Sequence, residues 1–342
     1  MTSIRDIAQM AGVSAASVSR ILNNDPAFSI NENTRQRVIE IANSLNYSTD
    51  KNKRGTRSVG DDLTIGLIVR HNAQSEFDDP YFRDIRRGIE QEAAKWRLKT
   101  IQAFRMRDEK KDWDQLKRYG AVIMISEMTK EATEYVSQLN PNLILVDNYS
   151  KNPQFDCIQT DFATKTREIL DVLYEKGHQN IAFIGGSSSC VTAEGDVLYS
   201  QDEVRAMSYI EWMKLHNLEA YIRVLQGSWK TETGLQLAAK LLNEENRPTA
   251  LVVGSDPLSV GVYRAISEAG LSIPEDISII SFDDNEMSKF MIPALSSVRM
   301  NAEEVGRIAV RMAKERILKE RTMPIRVVCG SELRLRESVK EV

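Results

Sequence analysis

From residue 63 onward the chain alternates two kinds of segment, and this alternation constrains the fold more than any other feature. Continuous apolar runs of strand length lie at 64–69, 121–125, 142–146, 181–184, 250–253 and 277–282. Between them, at 81–96, 112–119, 131–138, 163–176, 203–216, 232–243 and 258–269, apolar residues recur at helical spacing. A strand without polar alternation has no face for water, so the pattern predicts parallel sheets covered by helices on both sides. The series is too long for one doubly wound sheet of ordinary size. An α/β body of two doubly wound parallel-sheet subdomains accommodates it. Ligands bind such folds in the cleft at the carboxyl ends of the strands.

The N-terminus follows another rule. In residues 3–23, SIRDIAQMAGVSAASVSRILN, apolar residues are spaced so that two short helices each bury one face. The first uses Ile4, Ile7, Ala8 and Ala11; the second uses Val13, Val18, Ile21 and Leu22. Gly12 can adopt the left-handed conformation that ends the first helix, and Ser14 is placed to cap the second. Two helices joined by such a turn make an all-α helix-turn-helix head. The outer face of the second helix, Ala15, Ala16, Ser17, Ser19 and Arg20, is small or hydroxylic with one cation. Such a face allows close approach to a DNA major groove. A third helix over 33–45 closes the core with Val38, Ile41, Ala42 and Leu45.

Residues 48–62 are polar, cationic and free of Leu, and read as a linker. The division is therefore a DNA-binding head over 1–47, a hinge over 48–62 and a body over 63–342. Crossovers between the two subdomains are expected near 160 and 285. The net charge of −4 is unevenly spread: residues 1–60 carry eight basic against five acidic side chains, and the remainder 37 against 44. A basic head on an acidic body suits a polyanion-binding module joined to a regulatory one.

Other chemistries find little support. The three cysteines, Cys157, Cys190 and Cys329, have neither metal-cluster nor disulfide-framework spacing, and His71, His178 and His216 are far apart. No GxGxxG or P-loop pattern occurs, nor a nucleophile-plus-base signature, so neither an enzyme nor a cofactor is expected. No signal-like N-terminus and no run of eighteen apolar residues is present, which predicts a cytoplasmic protein with no membrane partner.

The N-terminal segment resembles the signature of the LacI/GalR family of bacterial repressors. Ile4, Asp6, Ile7, Ala8, Ala11, Gly12, Val13, Ser14, Val18, Ser19, Arg20 and Asn23 fit that pattern, and Ser17 stands where Thr is usual. The resemblance extends through TIGLIV at 64–69, DPYFRDIRRGIEQEA at 79–93, GHQNIAFIGG at 177–186, the stretch 250–284 and PALSSVRMN at 293–301. It implies a periplasmic-binding-protein-like body. The DNA contacts it implies are Ser3, Ser14, Ala15, Ala16, Ser17, Ser19, Arg20, Asn23, Thr34 and Arg35, with Arg54 and Arg57 reaching phosphates or a narrow minor groove. Where such proteins carry a minor-groove Leu wedge, this chain has Thr56 or Arg57.

The implied effector site comprises Tyr81, Phe82, Asp161, Arg205, Trp229, Ser255 and either Asp283 or Asp284, with Asp256 capping the helix near Leu258. The implied function is a sugar-responsive repressor of a carbohydrate operon. It would work as a homodimer on a palindromic double-stranded operator and be released by effector. The helices near 83–96 and 258–269 would offer apolar faces for pairing. The Ala15-Ala16 start of the recognition helix and the long NNDPAFSI loop are similar to galactose-type and evolved-β-galactosidase-type repressors. The alternatives are a regulator using a purine or protein co-repressor and a sugar-binding protein without a DNA role.

Overall fold

The turn chemistry of the head sets its three helices. In a computed structural model, which describes residues 4–22, 28, 30–44, 63–70, 80–149 and 154–342, the chain divides into a unit over 1–62 and a unit over 63–342. In the first, α1 (Ile4–Ala11), α2 (Ala15–Leu22) and α3 (Glu32–Ser44) enclose Ile7, Val18 and Val38, each fully buried, with Ala8, Ala11, Ile21 and Ala42. Gly12 ends α1 at φ +66°. The Ser14 hydroxyl accepts from the Ser17 amide at 3.0 Å, capping α2 as expected. Asn31 does the same for α3, its side chain accepting from the Asn33 amide at 2.9 Å.

In the second unit the apolar runs become the centres of two six-stranded sheets. The first has the order β13-β5-β4-β3-β1-β2, where β1 is Thr64–Val69, β2 Lys99–Arg105, β3 Ala121–Ile125, β4 Leu143–Val146, β5 Asp156–Thr160 and β13 Arg326–Cys329. The second has the order β14-β12-β11-β10-β6-β9, built from β6 Ile181–Gly186, β9 Val224–Gly227, β10 Ala250–Val253, β11 Ser278–Asp283, β12 Ser296–Arg299 and β14 Glu332–Arg334. All neighbours are parallel except β14, which runs antiparallel to β12. Strands β1, β3, β4, β6 and β10 are buried along their whole length, as their unbroken apolar sequences require.

Helices α4 (Pro80–Lys95), α5 (Lys130–Leu139) and α10 (Ala302–Ile317) belong to the first subdomain. Helices α6 (Phe162–Glu175), α7 (Val204–Leu215), α8 (Thr231–Leu242) and α9 (Asp256–Glu268) belong to the second. The pair α4/α10 crosses at bare glycines: a Cβ on Gly88 would lie 2.0 Å from the Glu303 carbonyl oxygen, and one on Gly306 2.1 Å from that of Ile85. Helices α8 and α9 repeat the device, with Gly234 against Leu258 O and Gly261 against Thr231 O.

Three expectations for the body are corrected, and one element is added. The segment expected as a helix over 112–119 is a 3₁₀ helix, Trp113–Arg118, because the buried Asn140 amide donates to the Leu116 and Tyr119 carbonyls and closes it. The second crossover is not near 285. After β11 the chain stays in the second sheet to form β12, crosses back before α10, and crosses a third time between β13 and β14. The apolar stripes of α4 and α9 are not available for pairing: Tyr81, Ile85, Ile89 and Ala93 of α4 and Leu258, Val262, Ala265 and Ile266 of α9 are buried in their own subdomains. Finally, a hairpin unseen in the sequence, β7 (Ser188–Val191) and β8 (Val197–Ser200), leaves the second sheet after β6.

Candidate functional site

On the head, the residues expected to read DNA fall on one helix and its approaches. Ala15 to Arg20 lie on α2, with Ala16 and Arg20 exposed and Val18 buried beneath them. The Arg20 guanidinium sits 5.5 Å from the Phe28 ring centroid, and Arg35 donates to the Phe28 carbonyl at 3.3 Å. Phe28, not singled out in the sequence, thus orients both cations. Thr34 lies in the first turn of α3. Ser3, Asn23, Arg54, Arg57 and the hinge over 48–62 lie outside the described residues.

In the body, a cavity of ≈ 590 Å³ is lined from both sheets. Its polar residues sit where strands end: Arg70 after β1, Ser126 and Glu127 after β3, Asp147 after β4, Ser187 after β6, Ser228 and Trp229 after β9, Ser255 after β10 and Asp283 at the end of β11. Three of these exits have left-handed backbones, Ser126 at φ +80°, Asp147 at +55° and Asp283 at +105°. Non-glycine residues rarely adopt this conformation, and it concentrates at functional sites.

Arg205, on the first turn of α7, is the centre of one end. Its Nε donates to Glu203 Oε1 at 2.7 Å and its Nη1 to the Gly254 carbonyl at 2.9 Å. Glu203 Oε2 meanwhile caps α7 by accepting from the Arg205 and Ala206 amides. The guanidinium lies 4.1 Å from the Phe162 ring centroid, 4.6 Å from that of Trp229 and 5.4 Å from that of Phe282. Burial works against its charge, but Glu203 and Asp283 overcome that and raise its pKa. The Trp229 ring rests on Gly186 and Gly254, where a Cβ would come within 2.1 and 3.1 Å of it, and its Nε1 donates to the Ser187 carbonyl at 3.3 Å.

Across the cleft, Tyr81 and Tyr149 both donate to Asp147 Oδ1, at 3.2 and 3.1 Å. Burial raises the Asp147 carboxyl above its ordinary range, and the same burial, with the Asp147 charge, raises both phenols well above theirs.

The structure therefore brings together Tyr81, Phe82, Arg205, Trp229, Ser255 and Asp283. Of the two adjacent aspartates, Asp283 faces the cavity, while the Asp284 side chain is buried against Arg334 and Arg336. Asp161 is not in the cleft. Its carboxylate accepts from the Ser331 hydroxyl at 2.5 Å and amide at 3.3 Å, tying the first crossover to the third. The residue that enters instead is Phe162. Ser255, not Asp256, caps α9; Asp256 is buried, accepting from Ser297 Oγ at 2.8 Å and the Asn285 amide at 2.7 Å. Asp147, Tyr149, Arg70 and Glu127 were not singled out in the sequence. Each lies one to three residues past an apolar strand, the signal that could have found them. Among the described residues no side-chain cluster is suited to hold a metal, and no helix is long and apolar enough to cross a membrane.

Comparison with known proteins accounts for both parts. Residues 3–50 match the model for bacterial regulatory proteins of the lacI family, and residues 170–339 match a periplasmic binding protein-like domain. The HTH-type transcriptional regulator GalR of Streptococcus thermophilus is 31% identical over 99% of this chain and 100% of its own. The chain belongs to the lacI family. This family member is a DNA-binding transcriptional regulator, with the head and two-subdomain body of its relatives. The HTH-type transcriptional repressor MelR of Bacillus subtilis (strain 168) is also 31% identical, over 99% of this chain and 97% of its own. A lac repressor dimer solved with operator and the anti-inducer ONPF has the same fold, with a TM-score of 0.68 at 21% identity over 99% of both chains.

Proposed function

We propose that this family member represses a carbohydrate-utilisation operon and leaves its operator when a sugar, galactose or a galactoside, occupies the cleft. The observation that carries the reading is the facing of two chemistries at one end of the cavity. Asp147, Asp283 and Arg205 present acceptors and a fork of donors, which suit adjacent hydroxyls. Trp229, Phe162 and Phe82 present apolar surface, which suits the C–H face of a pyranose. The names of the relatives GalR and MelR point the same way.

The DNA contacts fall to Ser14, Ala15, Ala16, Ser17, Ser19, Arg20, Thr34 and Arg35 of the head, together with Ser3, Asn23, Arg54 and Arg57. One head spans few base pairs, so two copies on a two-fold axis read a palindrome. Exposed Met287, Phe290 and Ile292, the last 92% accessible, offer apolar surface for a second copy. Sugar binding draws the subdomains together and acts on DNA only through its different affinity for the two arrangements.

The test is thermal stabilisation by monosaccharides, disaccharides, sugar phosphates and purines, followed by release from an operator fragment. A ligand at a hundredfold excess over its Kd adds about 2.7 kcal/mol. Stabilisation and release by galactose or a galactoside are expected. Stabilisation by purines or sugar phosphates alone would replace this reading with a co-repressor one.

A further inference from the structure

We infer that the cleft holds a second subsite, headed by Arg70 and Glu127 and walled by the β7–β8 hairpin, that takes the second ring of a disaccharide. The inference rests on the sugar reading above and narrows it. A single pyranose stacked on Trp229 and bonded to Asp147, Asp283 and Arg205 occupies one end of the cavity. The ≈ 590 Å³ available lies well inside the range, about 300–1,000 Å³, of cavities that enclose larger organic ligands.

Tyr149 spans the two ends. Its hydroxyl donates to Asp147 at the first, and its backbone amide donates to Glu127 Oε1 at 2.8 Å at the second.

At that second end two opposite charges line one space, and among the described residues neither forms an ion pair. Arg70 donates to the Ser189 carbonyl at 2.6 Å and to Ser189 Oγ at 2.5 Å, and among the described residues no carboxylate is within ion-pair distance of it. Among the described residues the Glu127 carboxylate accepts only from the Tyr149 amide. Burial disfavours both charges, lowering the arginine's pKa and raising the glutamate's. A largely buried charge that keeps only a few neutral partners is costly, and a ring of hydroxyls adds what both can still take: donors to the carboxylate and acceptors for the guanidinium.

The wall of this end is anchored. Val191 of the hairpin is fully buried in the apolar cluster of the first subdomain, with Ile68, Phe104 and Met128. Its amide donates to the Glu127 carbonyl at 3.2 Å, its carbonyl accepts from the Thr129 amide at 3.0 Å, and Lys111 Nζ donates to the Glu194 carbonyl at 2.8 Å. The hairpin thus joins the two subdomains across the cleft and presents Ser189, Cys190 and Leu198 to the cavity.

The experiment is calorimetric titration of the full chain with galactose and with two galactosyl-glucose disaccharides, lactose and melibiose. One disaccharide should bind at least about tenfold tighter than galactose, a difference of about 1.4 kcal/mol. Arg70→Gln, and independently Glu127→Gln, should cut that ratio to within about threefold of unity. The Cys190 thiol gives a second readout: its modification should slow with the disaccharide far more than with galactose. Galactose binding as tightly as both disaccharides would overturn the second subsite and leave the sugar reading standing. So would a preference that survives both substitutions. Failure of all three sugars to bind would overturn both.

Discussion

Placing a methyl group on Gly88 tests how closely the frame of the cleft is built. Ideal geometry puts that carbon 2.0 Å from the Glu303 carbonyl oxygen, where ordinary contact begins at 3.4 Å. The obstacle is helix backbone and cannot rotate away, so α4 and α10 must separate by roughly 1.4 Å. A gap of even ~0.5–1 Å forfeits a quarter to a half of each atomic contact along the seam. Overpacking of this kind costs up to about 3 kcal/mol, and replacing a helical Gly by Ala returns about 1 kcal/mol. The net loss is about 2 kcal/mol, or a Tm lower by about 4–8 °C. Thermal denaturation followed by circular dichroism measures it, with Gly330→Ala as control. A Cβ there meets nothing within 4 Å, so that variant should stay within about 0.5 kcal/mol of the parent. Gly306→Ala strikes the same seam, so the double variant should lose clearly less than the sum of the singles, because one separation relieves both clashes. A Gly88→Ala protein that melts at or above the parent temperature would refute the packing argument.

Arg20→Ala should weaken operator binding by about 1–3 kcal/mol in a gel-shift or anisotropy titration while leaving sugar binding intact; undiminished DNA affinity would remove Arg20 from the reading face. Trp229→Ala should abolish sugar-induced release and spare DNA binding, and an unchanged response would take the indole out of the site. Burial raises the Asp256 carboxyl to about 7, so its native form holds a proton that the unfolded chain has already released. That contribution to stability is complete below pH about 4 and is lost as the pH rises to about 7. Asp256→Asn cannot lose it, so the variant should gain on its parent across that window in denaturant titrations. A constant difference would show that Asp256 does not titrate there.

The parts of the fold legible in the sequence were those where burial is complete. Strands such as 121–125 and 250–253 are all apolar because both faces are covered, and their short length between helical patterns marks them as buried strands. The strands that went unread are edges or next to them. Lys99–Arg105 mixes Lys, Thr, Gln and Arg with apolar residues, and Asp156–Thr160 carries a buried aspartate that Arg316, Arg321 and the Ile325 amide, 160 or more residues away, make tolerable. No local pattern encodes a pairing at that distance. In the cleft, Arg205 and Trp229 were legible because the family resemblance placed them, whereas Asp161 and Phe162 exchanged roles. Which of two neighbours enters a cleft depends on the direction of the strand exit. Here Ser331, from the third crossover, draws the aspartate away.

The thrice-crossed connection between subdomains also sets an order of events on the ribosome. The first sheet begins with Thr64–Val69 but lacks its edge strand until Arg326–Cys329 has emerged, and α4 lacks its partner until Ala302–Ile317 has. At ~5–20 residues per second, that interval lasts roughly 13–50 s. Once Asp156–Thr160 has been made, for most of the rest of that interval its outer edge has no neighbour and its carboxylate neither Arg316 nor Arg321. The nascent first subdomain is thus held open by its own topology, and exposed to chaperones, long after most of its residues have been made.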